Sequence, residues 1–380
     1  MADVRSAFET GVGPGGLAWV KVKHPSGSTC TVHLFGATVT SVTSAAGREL
    51  LFTSKASAWD GSGPIRGGIP VVFPQFGTAA LPGIAPGKTL PMHGFARRFA
   101  WRAVAQTVRA ADGACLLTLE LTPADLVGAE GADVREAWPY DFALSYTLTL
   151  GAGGGPAAGA PPLFAASLEV RNTGGGAAST PGAAEAAVRR AEQVARALGG
   201  APSVSSSLSS SSSAWECQAL LHTYFSVSDI HAVALRGFGG APLLDKLALA
   251  GGATPALRVE DAPDDAAGRR IERETDQIYP ALAPEKLVLI CSDGDAQAVA
   301  VGRGCSAGVS PDCVLWNPWV DKSRAMGDFD DGGYKTMVCV EPGFGLMPGS
   351  VVRLFPGQAV SLQTTIDLVD VDVDVDVVAV

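Results

Sequence analysis

The chain has 380 residues, 47% of them apolar, and a formal net charge of −10 at pH 7. That charge argues against a general binder of nucleic acid or anionic membranes, while leaving room for a local basic pocket that takes a small anion. Forty-six glycines and 25 prolines suit many short strands joined by turns better than long helices.

Strand-like runs at 19–22, 30–34 and 38–42 open the chain, with Ser-Gly-Ser and Phe-Gly-Ala turns between them. Runs at 101–108, 115–121 and 142–150 follow; the last reads FALSYTLTL and alternates with period two. After a run at 164–171 the pattern breaks. Residues 174–213 are Gly/Ala-rich, pass through EAAVRRAEQVARALGG, and end in a nearly pure serine tract. The middle has helix-forming composition, but the flanks have nothing to bury, so a surface insertion is expected. Further runs lie at 217–221, 286–291, 296–301, 336–340, 351–355 and 358–367. Residues 368–380 (LVDVDVDVDVVAV) read as a loosely held tail, with an added edge strand as the alternative. So many short strands predict an all-β chain, an antiparallel sandwich or barrel, forming one domain over 1–380 that carries the insertion.

Seven scattered cysteines, an odd number without a C-x-x-C pair, read as reduced thiols rather than a disulfide framework or zinc site. No apolar stretch approaches the ~18 residues of a membrane span. The first residues lack an apolar signal core, and Asp3 and Glu9 argue against a transit peptide. A cytoplasmic monomer is the expectation, with no nucleic-acid or membrane partner.

The candidates for chemistry stand where ionisable groups interrupt apolar runs. His222 lies in LHTYFSVSDI (221–230) and Glu341 in MVCVEPG (337–343). An imidazole that titrates near neutral pH and a carboxylate that can accept a hydroxyl proton suggest acid/base chemistry. His93 lies in PMHGFARR (91–98), where Gly94 lets the backbone approach something closely. For either histidine the competing reading is a satisfied structural residue. His24 reads as a solvated strand end, His33 as an ordinary strand residue, and His231 carries little functional weight. Arg66 in GPIRGGIP (63–70), and Arg97 and Arg98 after the His93 turn, are candidates to grip an oxyanion. Asp276 in ETDQIY (274–279) reads alone as a solvated or capping acid. The run from Asp328, DFDDGG, misses the D-x-D-x-D-G spacing of a calcium loop, and there is no G-x-S-x-G, H-E-x-x-H or strand–GxGxxG–helix setting.

Taken together, PIRGGIPVVFPQFG (64–77), MHGFARRFAW (92–101), LLHTYFSVSDI (220–230), ETDQIY (274–279) and VLWNPWVDKSRAMGDFDDGGYKTMVCVEPG (314–343) resemble the aldose 1-epimerase (galactose mutarotase-like) family, in its hexose-6-phosphate branch. The resemblance spans roughly residues 15–367 apart from the insertion. It implies a large antiparallel β-sandwich, with His222 as general acid and Glu341 as general base. Arg66 and Arg97 would bind the phosphate of a hexose 6-phosphate, Asp276 would contact sugar hydroxyls, and His93 would sit at the site edge. Lys88 or Arg98 would assist the arginines. Met92 stands where the family often carries glutamine. The resemblance further implies that no metal or redox cofactor is needed, and that Asp276 keeps His222 charged. A non-phosphorylated aldose mutarotase, a non-catalytic sugar-binding protein and a glycosidase are the alternatives.

Overall fold

The computed structural model of the chain describes residues 4–78, 81–154, 161–174, 214–250, 256–260, 268–283 and 287–370. The insertion beyond residue 174 and the stretch 371–380 lie outside the described residues. The strands form two eight-stranded sheets, a four-stranded meander at the start of the chain and a two-stranded ribbon. Every strand pairing within them is antiparallel.

The first large sheet runs, in order across it, Val233–Arg236, Val288–Ser292, Gln297–Cys305, Ala359–Asp370, Phe164–Asn172, Phe142–Leu150, Cys115–Leu121 and Arg102–Val108. Period-two alternation explains why one side of it buries. Along Phe142–Leu150 the residues Phe142, Leu144, Tyr146, Leu148 and Leu150 are buried and those between them half-buried. Ala359–Asp370 is an interior strand that extends past the expected limit at 367. Leu368, Val369 and Asp370, expected to belong to a loose tail, pair with Val299, Ala298 and Gln297. Burial of Val369 against Leu289 and Ala298 holds them there.

The second large sheet runs Arg258–Val259, Pro242–Asp245, Thr275–Tyr279, Asp312–Asn317, Met337–Phe344, Ala219–Leu221 and Val71–Val72, with Tyr224–Ser226 also paired to Met337–Phe344. Its central strands are buried on both faces. Cys313, Leu315, Val338 and Val340 join Leu144, Leu168 and Leu362 of the first sheet in one core, which makes the pair a sandwich. Val314, Trp316, Met337 and Cys339 alternate to the opposite face and pack in a second cluster with Tyr224 and Phe76. A helix at Gly128–Ala137, unread in the sequence, buries Val134 and Ala137 in the main core. No helix among the described residues is long and apolar enough to cross a membrane.

Candidate active site

Strand register gathers the site residues. Tyr224 pairs with Cys339, Cys339 with Trp316, and Trp316 with Asp276, so these four side chains form a row on one face of the second sheet. Glu341 lies two residues beyond Cys339 on the same strand and therefore on the same face. His222 lies flat on Tyr224, with ring centres 4.7 Å apart and 11° between planes, and sets its edge against Trp316 at 5.8 Å. This is the face turned away from the main core.

His222 Nδ1 and Glu341 Oε1 meet at 3.3 Å. Both residues are buried, at 6% and 1% exposure, yet Nδ1 and both carboxyl oxygens lack a hydrogen-bond partner. Buried polar atoms are almost always paired, so three orphans in one place mark a space shaped for a polar ligand. Burial pushes the His222 imidazole well below its ordinary range, and His93, Arg97, Arg66 and Lys246 push it further. Burial pushes the Glu341 carboxyl well up, and Asp276 adds to the rise while Lys246 and the Cys339 thiol oppose it. Both shifts favour the uncharged forms, a protonated Glu341 carboxyl beside a neutral His222 imidazole. Asp276, expected to keep His222 charged, is clasped by Lys246, with Nζ at 2.9 and 3.1 Å from its two oxygens, and its field falls on Glu341.

The two arginines reach the same space from separate segments, Arg66 from a loop and Arg97 from the 3-10 turn Ala96–Arg98. Arg66 donates from Nε to Asp328 Oδ2 at 3.0 Å, with Nη2 2.9 Å from the same oxygen, and from Nη1 to the Tyr224 hydroxyl at 3.2 Å. Arg97 is 6% exposed and makes no ion pair among the described residues. Its Nη2 donates to the Met92 carbonyl at 2.8 Å, and its Nε is buried without a partner. Burial, then Arg66, lowers it to about 10. Met92 thus serves through its backbone, its side chain being 48% exposed. Lys88 and Arg98, expected to assist, are engaged by Glu136 and Glu130 of the 128–137 helix.

His93 adopts φ +66°, a left-handed conformation uncommon for a side-chain-bearing residue. Its Nδ1 accepts from the Gly77 N–H at 3.2 Å, which puts its ring proton on Nε2, and its ring lies 5.6 Å from that of His222. The expected close approach at Gly94 is present: a Cβ there would sit 2.0 Å from the Phe73 carbonyl oxygen. His24, expected to be solvated, is instead 8% exposed and accepts from the Ser26 N–H at 3.1 Å. His222, Cys339 and Glu341 present donor atoms within 4.8 Å of one another, but Arg66, Arg97 and Lys246 act on the same space and would repel a cation.

Lys246 and Tyr224 are not singled out in the sequence, and Asp328 is noted there only as the start of a failed calcium-loop pattern. Tyr224 stands two residues from His222, a spacing that in a strand shares a face; Lys246 carries no local signal, because long-range pairing alone brings it here.

A sequence model of the aldose 1-epimerase family matches residues 19–155 and 203–367, and the chain belongs to that family. It is therefore a sugar epimerase by class. Two relatives, both named “Putative glucose-6-phosphate 1-epimerase”, come from Cenchrus ciliaris and Escherichia coli K12. The first is 28% identical over 350 residues, covering 91% of this chain and 83% of its own length. The second is 28% identical over 328 residues, covering 86% and 83%. A crystal structure described as a putative mutarotase from Salmonella typhimurium superposes with a TM-score of 0.66 at 23% identity, covering 97% of this chain and 96% of its own. The mutarotase fold implied by the resemblance is the fold observed.

Proposed function

We propose that the protein interconverts the α and β anomers of hexose 6-phosphates, glucose 6-phosphate first among them, with His222 as general acid and Glu341 as general base. The observation that carries this reading is Arg97: a buried guanidinium with an unpaired Nε and, among the described residues, no ion-paired carboxylate, acting on the same space as an acid/base pair. Such a group calls for an external anion. The relatives' shared name points the same way.

Anomerisation requires O1 to lose a proton while the ring oxygen gains one. Starting from the resting pair, the shared proton crosses the 3.3 Å contact from Glu341 to His222. Glu341 then takes the O1 proton, His222 protonates the ring oxygen, and the C1–O5 bond breaks to a free aldehyde. Rotation about C1–C2 presents the other carbonyl face. Reclosure with both proton roles reversed gives the second anomer and restores the pair. Positioned acid/base groups supply ~10²–10⁴-fold each, which suits an already modest barrier. Asp276 and Lys246 would meet the sugar hydroxyls, and His93 would border the ring. The reading needs no metal or redox group.

The reading takes the chain as one sandwich domain with residues 174–213 inserted in it, a cytoplasmic monomer whose partner is its small-molecule substrate. Support comes from the core shared by both sheets and from cysteines that form no disulfide among the described residues. A coupled assay of α-to-β glucose 6-phosphate conversion tests the function. Wild type should accelerate it and His222→Ala should not; no acceleration by wild type would refute the reading.

A further inference from the structure

Building on that reading, we propose that the arginine site is an activating site as well as a binding one: an inorganic oxyanion seated at Arg97 and Arg66 switches on anomerisation of an unphosphorylated aldose, with Tyr224 as the positioning residue that links the anion to His222.

The link is a continuous set of contacts. Asp328 Oδ2 holds Arg66 by Nε and Nη2, Arg66 Nη1 donates to the Tyr224 hydroxyl at 3.2 Å, and the Tyr224 ring is the platform on which the His222 imidazole lies at 4.7 Å. His222 Nδ1 in turn contacts Glu341 at 3.3 Å. An anion that draws on Arg66 therefore acts on the hydrogen-bond partner of the residue that orients the acid. Arg97 supplies the seat, since its Nε is buried and unpartnered while its Nη2 is fixed by the Met92 carbonyl.

Charge works in the same direction as geometry. The groups acting on His222 are His93, Arg97, Arg66 and Lys246, with Glu341 in contact, and the cations among them oppose an imidazolium. A dianion between the two arginines offsets their field and favours moving the shared proton from Glu341 to His222, the state that ring opening requires. With the anion site empty, burial and the neighbouring cations disfavour the imidazolium that ring opening requires. Nothing in this coupling requires the phosphate to be bonded to the sugar. A ligand that favours the competent state raises turnover at the neighbouring subsite whether or not the two are covalently joined.

The test follows anomer exchange of D-glucose by wild type across a series of inorganic phosphate concentrations, after subtracting the buffer-catalysed rate at each. The expected result is a saturable rise in kcat/KM for glucose of about tenfold or more, within the ~5–150-fold span typical of coupled sites. Arg97→Ala should show no rise. Tyr224→Phe keeps the ring but removes the hydroxyl; it should still bind phosphate, read as a thermal shift, while losing most of the activation. Full activation in Tyr224→Phe would overturn the link. If phosphate competes with glucose 6-phosphate but leaves glucose turnover unchanged, the activating role is wrong and the sugar-phosphate reading stands. If neither phosphate binding nor glucose 6-phosphate exchange is found, both fall.

Discussion

Asp328 holds Arg66 through one carboxylate oxygen, 3.0 Å from Nε and 2.9 Å from Nη2. Two donors of the arginine proposed to bind phosphate are thus occupied by an internal acid, and Arg97 is the guanidinium left open. Asp328 competes with an incoming anion for Arg66 while keeping its fork in place. Asp328→Asn keeps an acceptor oxygen and removes the negative charge. Its expected effect is a fall in KM for glucose 6-phosphate of roughly fivefold, about 1 kcal/mol of charge competition at a partly exposed site. A rise in KM, measured in steady-state kinetics, would show that orientation by the full carboxylate outweighs competition.

Arg97 is expected to trade stability for function. A buried guanidinium without a carboxylate is costly in the free protein. Arg97→Met should raise the stability of the unliganded protein by about 1–2 kcal/mol in chemical denaturation, and should abolish the stabilisation that glucose 6-phosphate gives wild type. A less stable variant would mean that the Met92 carbonyl contact matters more than the unpaired charge.

The pH dependence follows from the direction of each shift. His222 is depressed in the folded state, so its contribution to stability is complete above the unfolded value of about 6.5 and is lost as pH falls toward the folded one. Glu341 is raised, so its contribution is complete below the ordinary carboxyl range and is lost as pH climbs through its elevated folded value. Glu341→Gln should therefore gain stability relative to wild type as pH rises above the ordinary carboxyl range, seen as a growing difference in denaturation midpoint. The activity profile should be a bell. Its acid limb is a second proton reaching His222, and its alkaline limb is loss of the shared proton from Glu341. Lys246 lowers Glu341, so Lys246→Gln should move the alkaline limb upward; an unmoved limb would place Lys246 outside the pair's field.

Much of the fold was legible where one strand face is buried and the other half-buried. Cys115–Leu121 and Phe142–Leu150 were read to the residue, because alternation there is uninterrupted. The second sheet was harder. Asp312–Asn317 is buried on both faces and has no alternation to read. Met337–Phe344 was expected to stop at 340, since Glu, Pro and Gly are poor strand formers; burial between two apolar clusters overrides that preference. Site residues followed the same division. His222, Glu341, Arg66 and Arg97 stood in segments with a family resemblance, and the structure gathers them around one space. Lys246 lies outside those segments, and Asp328 lies inside one without marking itself as a partner of Arg66; distant segments coming together there reveal both.

The account rests most directly on anomer exchange in glucose 6-phosphate, followed by magnetisation transfer between its α and β C1 protons at pH 7. Wild type should accelerate the exchange, and Glu341→Gln, folded by circular dichroism, should lose ~10²–10⁴-fold of that acceleration. Exchange by Glu341→Gln within about threefold of wild type would contradict the account.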